Sequence, residues 1–284
     1  QAAIFLLEAA VEAVKAALKN ESLNNAAKIA EARKIAANSN LAPHLQEIVD
    51  AANRREIPWF KKADSIVQLG YGKNLNRIRT ENNSNFIEII SGSYENLRAF
   101  PTAGDLRNSG DAIVEFLYPN GKEARIPIVA VTGTNGKTTV TRLTSHVLLE
   151  ADLNVGTTTT NGILFNGEII VEGDTTGPVS ARVVLENEQV DVAVLETARG
   201  GILRRGLGWD WADVAVVTNI TEDHIGQDGI ESLADLVSVK ALVAERVRKN
   251  GTLILNADDA ESSGLINRSA VSLIEKKIVY FAMS

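Results

Sequence analysis

The residue types of a phosphate-binding loop occur together in one short segment, Thr132-Gly133-Thr134-Asn135-Gly136-Lys137-Thr138-Thr139. Glycines allow backbone N–H groups to approach phosphate oxygens, and a helix that begins directly after such a loop adds unpaired donors and a favourable dipole. Lys137 can place a positive charge near the β- and γ-phosphates of a nucleotide, and Thr138 can offer its hydroxyl to Mg²⁺. The segment therefore predicts a nucleotide site formed by Gly133, Thr134, Asn135, Gly136, Lys137, Thr138 and Thr139.

The segment departs at one position from the usual pattern G-x-x-x-x-G-K-[ST], because Val131 stands in place of the first glycine. A plain glycine turn is the alternative interpretation. The context favours the phosphate loop, since the apolar run 126–131 is typical of a buried strand and residues 137–150 follow a helical pattern, with the loop between them.

Candidate strands and helices alternate after residue 110 and must position this loop. Apolar runs typical of strands buried on both faces occur at 126–131, 191–196, 213–219, 252–256 and 277–282. A further helical pattern covers 231–249. This alternation predicts an α/β fold with a mostly parallel sheet that helices cover on both faces.

Polar residues follow several of these predicted strands. Glu196 closes the run at 191–196, the segment 219–224 (Asn-Ile-Thr-Glu-Asp-His) follows the next run, and Asn256 closes the run at 252–256. Each has a plain structural alternative: a strand cap, a structural Asp-His pair, or a turn signal. Lys240, on a predicted helix, has the alternative of a solvated face. The order of these residues along the chain is stronger evidence for a site than any one of them, because ligand sites in open α/β sheets lie beyond the carboxyl ends of the strands.

This set of motifs resembles the Mur ligases and folylpolyglutamate synthetases, in which the loop takes the form Thr-Gly-Thr-Asn-Gly-Lys-Thr-Thr. The resemblance implies an ATP-dependent amide ligase that activates a carboxylate as an acyl phosphate. It implies Mg²⁺ binding by Thr138 and Glu196, a second Mg²⁺ on His224, and a lysine at position 240 that many relatives carbamylate. It also implies nucleotide contacts from Asn219 and Asn256, and a catalytic set of Lys137, His224 and Lys240.

Two longer segments narrow the resemblance to the cyanophycin synthetases. One is 195–208, which begins Leu-Glu-Thr-Ala-Arg-Gly-Gly-Ile; the other combines 156–162 (Gly-Thr-Thr-Thr-Thr-Asn-Gly) with 173–182 (Gly-Asp-Thr-Thr-Gly-Pro and its continuation). The resemblance implies polymerisation of Asp and Arg into cyanophycin, with Arg joined to the Asp β-carboxylate at the Mur-like site. Thr158, Thr159 and Arg199 are the substrate residues it suggests, and a homo-oligomer is the assembly it suggests.

The part of the chain before residue 110 predicts a different organisation. Leu7, Val11, Val14 and Leu18 share one helical face, and helical patterns continue at 25–38 and 42–54. Residues 65–72 are typical of a short strand that runs into a glycine turn, and they resemble the entry to an ATP-grasp domain.

We therefore predict a helical and partial ATP-grasp region at 1–90, a linker or join at 91–110, and a Mur-like domain at 111–284 without its C-terminal lobe. Two explanations fit this arrangement. Either the sequence joins ordered pieces of a longer polypeptide, or the chain is truncated. The first explanation is favoured, because motifs from two domains survive on either side of the join.

Composition excludes several classes of function. The net charge of −7 is a poor match for nucleic-acid or anionic-membrane binding, and the chain has no cysteine for thiolate or cysteine-metal chemistry. No apolar run reaches the roughly 18 residues of a membrane span. These features, with no recognisable signal peptide, predict a cytoplasmic protein that binds neither nucleic acid nor membrane.

Three alternatives to this function stay open from the sequence. The chain could polymerise preformed Asp-Arg dipeptides and keep a vestigial Mur-like domain, although the intact Lys137, Glu196 and His224 argue otherwise. It could be a non-catalytic nucleotide-binding scaffold. A general phosphate-loop motor or GTPase is the weakest alternative, because Val131 replaces the first glycine of the loop.

Overall fold

The computed structural model describes residues 41–80, 87–92, 98–99, 106–222 and 225–283. The helices predicted before residue 41 lie outside the described residues. The chain divides into two compact units, one containing residues 1–69 and 76–121, and the other containing 70–75 and 122–284. The larger segment of the second unit starts at residue 122, whereas the sequence analysis places the start of the Mur-like domain at 111. The assignments made there for each domain stay predictions.

In its described residues, the first unit contains two helices and an antiparallel sheet in the order β1-β2-β3-β4-β5. The helices are α1 (Pro43–Arg54) and α2 (Leu106–Leu117). The strands are β1 (Trp59–Ala63), β2 (Ile66–Leu69), β3 (Asn76–Thr80), β4 (Ile87–Ser91) and β5 (Arg98–Ala99). The helix predicted over 42–54 is confirmed as α1, and the strand predicted within 65–72 is confirmed as β2. β5 and the start of α2 lie within 91–110, the stretch that the sequence analysis predicts to be a linker or join.

The second unit contains an eight-stranded sheet in the order β13-β12-β11-β6-β10-β7-β8-β9. Its strands are β6 (Ile128–Thr132), β7 (Val155–Thr159), β8 (Gly162–Phe165), β9 (Glu168–Glu172), β10 (Val192–Glu196), β11 (Ala212–Val217), β12 (Val247–Asn256) and β13 (Lys277–Phe281). The pairs from β13 to β7 are parallel, and β8 and β9 add an antiparallel edge. The predicted α/β class with a mostly parallel sheet is confirmed.

Helices connect these strands. They are α3 (Lys137–Leu149), α4 (Pro178–Leu185), α5 (Arg199–Arg205), α6 (Leu233–Glu245), α7 (Ala260–Gly264) and α8 (Ser269–Ser272). The start of α6 is fixed by a capping box in which the Ser232 hydroxyl and the Asp235 carboxylate each accept a hydrogen bond from the other residue's backbone N–H. In the described part of the chain, no helix combines the length and the apolar character that crossing a membrane requires.

The strand order creates a crevice beside β6. The strand β10 lies on one side of β6 and β11, the next strand in the chain, lies on the other side. Connections leave the sheet in opposite directions at such a switch point, so the carboxyl ends of the strands border an opening suited to a ligand. The residues that follow β6, β10 and β11 therefore meet at one edge of the sheet.

Residues 70–75 fold with the second unit, although they connect β2 to β3 of the first. The backbone N–H groups of Tyr71 and Lys73 donate to the carbonyls of Ala124 and Val190, both at 2.9 Å. The Tyr71 hydroxyl donates to the Asp210 carboxylate at 3.1 Å. The short loop is thus held by the second unit through both backbone and side-chain hydrogen bonds.

Candidate active site

The phosphate loop leaves β6 at Thr132 and enters α3 at Lys137, as the sequence predicts. Two glycines make its path possible. Gly133 has φ +145°, and a Cβ there would lie 1.9 Å from the Thr218 hydroxyl. Gly136 has φ +82° and caps α3 in the left-handed conformation. Only glycine adopts such angles without strain, so both positions are fixed by backbone geometry.

The strand β11 holds the loop from the neighbouring position in the sheet. The Thr134 N–H donates to the Asn219 carbonyl at 2.8 Å, and the Asn135 N–H donates to the Asn219 side-chain oxygen at 3.0 Å. The Thr218 hydroxyl donates to the Asn135 carbonyl at 2.6 Å. Asn219, predicted to bind nucleotide, therefore fixes the backbone of the loop in this structure.

Asn256 supports the same arrangement from β12. Its side-chain amide donates to the Thr218 carbonyl at 2.9 Å, and its backbone N–H donates to the Ser262 hydroxyl at 3.1 Å. Asn256 thus reaches the phosphate loop through Thr218, and its predicted contact with nucleotide stays a prediction. Thr139, also predicted to bind nucleotide, is exposed on the first turn of α3.

Thr138 and Glu196 meet where β6 and β10 end. The Thr138 hydroxyl donates to Oε1 of Glu196 at 3.0 Å, and the Thr160 N–H donates to Oε2 at 3.2 Å. Glu196 is only 2% exposed. Burial raises its pKa above the usual range, whereas the hydrogen bonds from Thr138 and Thr160 act in the opposite direction. A buried carboxylate next to a hydroxyl is a fitting pair of oxygen ligands for Mg²⁺.

The other predicted metal ligand, His224, lies outside the described residues, as does Asp223. Among the described residues, no cluster of three or more His, Asp or Glu side chains could hold a metal by itself. Thr138 and Glu196 are the predicted Mg²⁺ ligands that the structure describes, and the metal-binding roles of these two residues and of His224 stay predictions. This pair fits a metal that also takes oxygens from a bound nucleotide, since Mg²⁺ usually keeps few protein ligands beside substrate phosphates.

Three cationic side chains line one pocket of about 190 Å³ beside the loop: Lys137, Arg199 and Lys240. The Lys137 ammonium donates to the Thr134 carbonyl at 2.8 Å. The Lys240 ammonium, 4% exposed, donates to the Gly133 carbonyl at 2.5 Å. The structure therefore brings these three predicted residues together at the phosphate loop. Their shared positive charge makes the pocket suited to an anion.

Thr158 and Thr159 have a different environment from the one that their predicted substrate role requires. Both are buried in β7, where the Thr158 hydroxyl donates to the Glu196 carbonyl at 3.5 Å and the Thr159 hydroxyl donates to the Gly162 carbonyl at 3.2 Å. These hydroxyls make hydrogen bonds within the fold, and their substrate role stays a prediction. The residue of this strand end that reaches the candidate metal ligands is Thr160.

Sequence reasoning missed Thr160, Thr218 and Asp228. Thr160 stands in a run of threonines that gives no sign of which one leaves the strand, and Thr218 immediately precedes the recognised segment 219–224. Asp228 approaches the Arg199 guanidinium at 3.3 Å across 29 residues of chain. A separation of that length gives no periodic signal, so only the folded structure brings this pair together.

Comparison with known proteins gives a family and several relatives. The Mur ligase middle domain matches residues 131–283. The cyanophycin synthetase of Synechocystis sp. is 41% identical over 204 residues, which cover 72% of this chain and 23% of that protein. The UDP-N-acetylmuramoylalanine–D-glutamate ligase of Christiangramia forsetii is 28% identical over 63% of this chain and 37% of that protein.

A solved structure of UDP-N-acetylmuramoyl-L-alanyl-D-glutamate–2,6-diaminopimelate ligase matches at 22% identity and a TM-score of 0.45, covering 56% of this chain and 32% of that one. The chain spans about a quarter of the length of the curated cyanophycin synthetases that it matches, 23% for the Synechocystis protein. The match to the family model, by contrast, takes in the phosphate-loop helix, Glu196 and Lys240 in one continuous stretch.

Proposed function

Because this chain belongs to the Mur ligase middle domain family, we propose that its second unit binds ATP and Mg²⁺ and serves an ATP-dependent acid–amino-acid ligase. The observation that carries the proposal is the contact between the Thr138 hydroxyl and the buried Glu196 carboxylate at 3.0 Å. This contact lies at the start of α3, where a helix N-terminus and a glycine loop favour phosphate. A general glycine turn has no need for a buried carboxylate at that point.

The relatives support a proposal for the substrate class. We infer that the ligase belongs to the cyanophycin type, because the curated relatives at about 41% identity are cyanophycin synthetases. The acceptor would be the β-carboxylate of an Asp residue in the growing chain, and the incoming amine would be the α-amine of Arg. The γ-phosphoryl group of ATP transfers to a carboxylate oxygen, which gives ADP and an acyl phosphate. The amine then attacks the acyl carbon, loses a proton and expels inorganic phosphate, which leaves an amide bond.

Each described residue of the site has a role in that sequence. Lys137 neutralises charge on the transferring phosphoryl group, and Arg199 binds the carboxylate or its phosphate with a planar fork of N–H donors. Thr138 and Glu196 hold Mg²⁺, which when bound neutralises phosphate charge. With a free amine, the buried Lys240 fixes the Gly133 carbonyl and adds positive charge to the pocket, whereas a carbamate on it would add a negative charge. His224 as a second metal ligand, a carbamate on Lys240, a homo-oligomer and a cytoplasmic location remain parts of the same proposal.

Measurements of ATP binding, phosphate release and Arg incorporation test the function. Calorimetry with ATP and Mg²⁺ on the 284-residue chain should show binding that Lys137→Ala weakens and that Lys249→Ala, a change at an exposed lysine, leaves unchanged. Phosphate release should then require Asp-containing primer, Arg and ATP together. Release that depends on preformed Asp-Arg dipeptide would favour the dipeptide polymerase. Tight ATP binding without any stimulation by substrate would favour the scaffold, and unchanged Arg incorporation by Lys137→Ala would remove the assignment of this site.

A further inference from the structure

The Arg199 guanidinium contacts the loop 225–230, whereas Lys137 and Lys240 contact carbonyls of the phosphate loop. Its side chain is 13% exposed. Nη1 donates to the Gln227 carbonyl at 3.4 Å, and Nη2 donates to Oδ2 of Asp228 at 3.3 Å. A guanidinium carries five N–H donors in a fixed plane. The loop accepts hydrogen bonds from both Nη1 and Nη2, and the same side chain lines the pocket beside the phosphate loop.

Backbone hydrogen bonds close the loop that presents these two acceptors. The Gly226 N–H donates to the Ile230 carbonyl at 2.7 Å, and the Ile230 N–H donates to the Gln227 carbonyl at 3.0 Å. Ile230 is only 2% exposed and fixes the end of the loop against the core. Asp228 has φ +54°, a left-handed conformation that aspartate tolerates better than most residues. The turn therefore holds its carboxylate in a defined place.

We propose that Asp228 is a positioning residue: it holds the Arg199 guanidinium at the pocket that Lys137 and Lys240 also line, and Arg199 there binds the phosphorylated carboxylate of the acceptor. This inference rests on the proposed function. An arginine without such an anchor samples many rotamers, and ordering its long side chain on binding costs conformational entropy. A guanidinium that is already oriented binds an anion without that cost, which is the physical advantage of the contact with Asp228.

Arg204 provides a control that distinguishes a positioning contact from a surface ion pair. Arg204 lies on the same helix, α5, and its Nη2 is 3.9 Å from the same carboxylate oxygen of Asp228, but its side chain is 72% exposed. Arg204 is absent from the lining of the pocket. If the carboxylate served only to balance surface charge, removing either arginine would have the same small effect. If the carboxylate positions Arg199, only the removal of Arg199 should impair the use of the acceptor substrate.

The backbone at Asp228 decides the choice of variant. Asp228→Asn removes the charge, and asparagine also tolerates a positive φ, whereas alanine would add strain of its own. Arg199→Lys is a second variant that does not depend on this loop, because it keeps a positive charge but loses the planar fork. We expect both to unfold at the same temperature as the wild type, since the pair is partly exposed.

Steady-state kinetics test the positioning role. We expect Asp228→Asn and Arg199→Lys to lower kcat/KM for the acceptor about tenfold, because charge-assisted hydrogen bonds of this kind are worth roughly that factor. The KM for ATP should stay unchanged, and Arg204→Gln should match the wild type throughout. In an Arg199→Gln background, Asp228→Asn should cause no further loss. A full additional loss in that background would show that Asp228 acts by another route and would overturn the inference, as would wild-type kinetics for Asp228→Asn.

A binding measurement separates this inference from the proposed function. With ADP and Mg²⁺ saturating, inorganic phosphate should bind the wild-type chain in calorimetry, and Asp228→Asn and Arg199→Lys should weaken that binding whereas Arg204→Gln should not. This pattern without any amino-acid ligation would support the positioning of Arg199 by Asp228 at a phosphate site, and would remove the proposed function and the acceptor named with it. Ligation with equal phosphate affinity in wild type and Asp228→Asn would do the reverse.

Discussion

The Lys240 ammonium donates a hydrogen bond to the Gly133 carbonyl at 2.5 Å, and so connects helix α6 to the phosphate loop across 107 residues of chain. Both groups are buried. The contact has two consequences. It fixes the first turn of the loop at the point where β6 ends, and it places a positive charge beside Lys137 in the pocket. A carbamate on the same nitrogen would exchange that positive charge for a negative one.

Replacing Lys240 by methionine should therefore damage both the fold and the nucleotide site. Lys240→Met keeps the length of the side chain but removes a donor from a buried carbonyl, which costs about 1–3 kcal/mol in the free energy of unfolding. We expect ATP affinity to fall as well, because Gly133 is no longer held. Urea denaturation and calorimetry measure the two effects, with the exposed Lys249→Met as the control. Equal stability of the two variants would contradict the role assigned to this hydrogen bond, and activity that rises with added bicarbonate would support the carbamate.

The close approach of Gly133 to β11 gives a second prediction. Gly133→Ala should lower the free energy of unfolding by at least about 2 kcal/mol, because it combines an unfavourable φ with a collision of the new Cβ and the Thr218 hydroxyl. ATP binding should be lost with it. Gly121→Ala is the matched control: Gly121 also has a positive φ, +74°, but open space around its Cβ position. Its cost should stay near 1 kcal/mol, with ATP binding unchanged. Similar costs for the two variants would mean that Thr218 moves aside.

The sequence predicts well the elements that have a strong hydrophobic pattern. The buried strands β6, β10 and β11 are continuous apolar runs, and α6 has both an apolar pattern and a capping box. β7 was missed as a strand because its Gly-Thr-Thr-Thr sequence has no hydrophobic alternation. Threonine is β-branched and suits a strand, but its hydroxyl makes the same residues look like a binding motif. β9 was also missed: its β-branched Ile-Ile-Val run is only three residues long between two glutamates, and all of its residues are exposed at the edge of the sheet.

The residues of the site also differ in how well the sequence predicts them. The phosphate loop and Glu196 could be predicted, because each follows directly on a recognisable strand and the strand order of an α/β sheet brings their ends together. Thr160 could not be selected from its neighbours, since one residue of difference in a strand end decides which side chain leaves the sheet. The partner of Arg199 could not be found either. Asp228 lies on a turn whose position depends on Ile230 packing into the core, and sequence spacing carries no information on that.

The loop 70–75 provides a prediction about stability alone. Burial raises the pKa of the Tyr71 phenol, which keeps it a neutral donor to Asp210, and Arg125 Nε also donates to that carboxylate at 3.0 Å. Tyr71→Phe should cost about 1 kcal/mol. Asp210→Ala should cost more, about 2–3 kcal/mol, because it also leaves Arg125 without its carboxylate.

Urea denaturation measures both costs, and ATP affinity should not change in either variant. Tyr280→Phe is the control for the first, since Tyr280 is 46% exposed, and it should stay within about 0.5 kcal/mol of the wild type. A larger loss for Tyr71→Phe than for Asp210→Ala would contradict the assignment of Asp210 as the centre of this group.

The raised pKa of Glu196 gives a prediction about pH and metal. In the metal-free chain, burial favours the protonated carboxyl, so the folded state binds this proton more tightly than the unfolded state does. Stability from the protonated form is complete below the ordinary glutamate value of 4.5 and is lost as the pH rises through the raised pKa of the folded state. Glu196→Gln cannot lose a proton. It should therefore match the wild type at low pH and become the more stable of the two as the pH rises through that window.

Magnesium should reverse this order. Mg²⁺ with ATP should stabilise the wild type near neutral pH and leave Glu196→Gln almost unaffected, with apparent Mg²⁺ affinity at least about tenfold weaker in the variant. Thermal unfolding across the pH range, with and without Mg²⁺ and ATP, measures both effects. Glu188→Gln, at an exposed glutamate, should behave as the wild type in every condition. If Glu196→Gln kept the full stabilisation by Mg²⁺ and ATP, the metal would be held elsewhere, and the contact between Thr138 and Glu196 would be only structural.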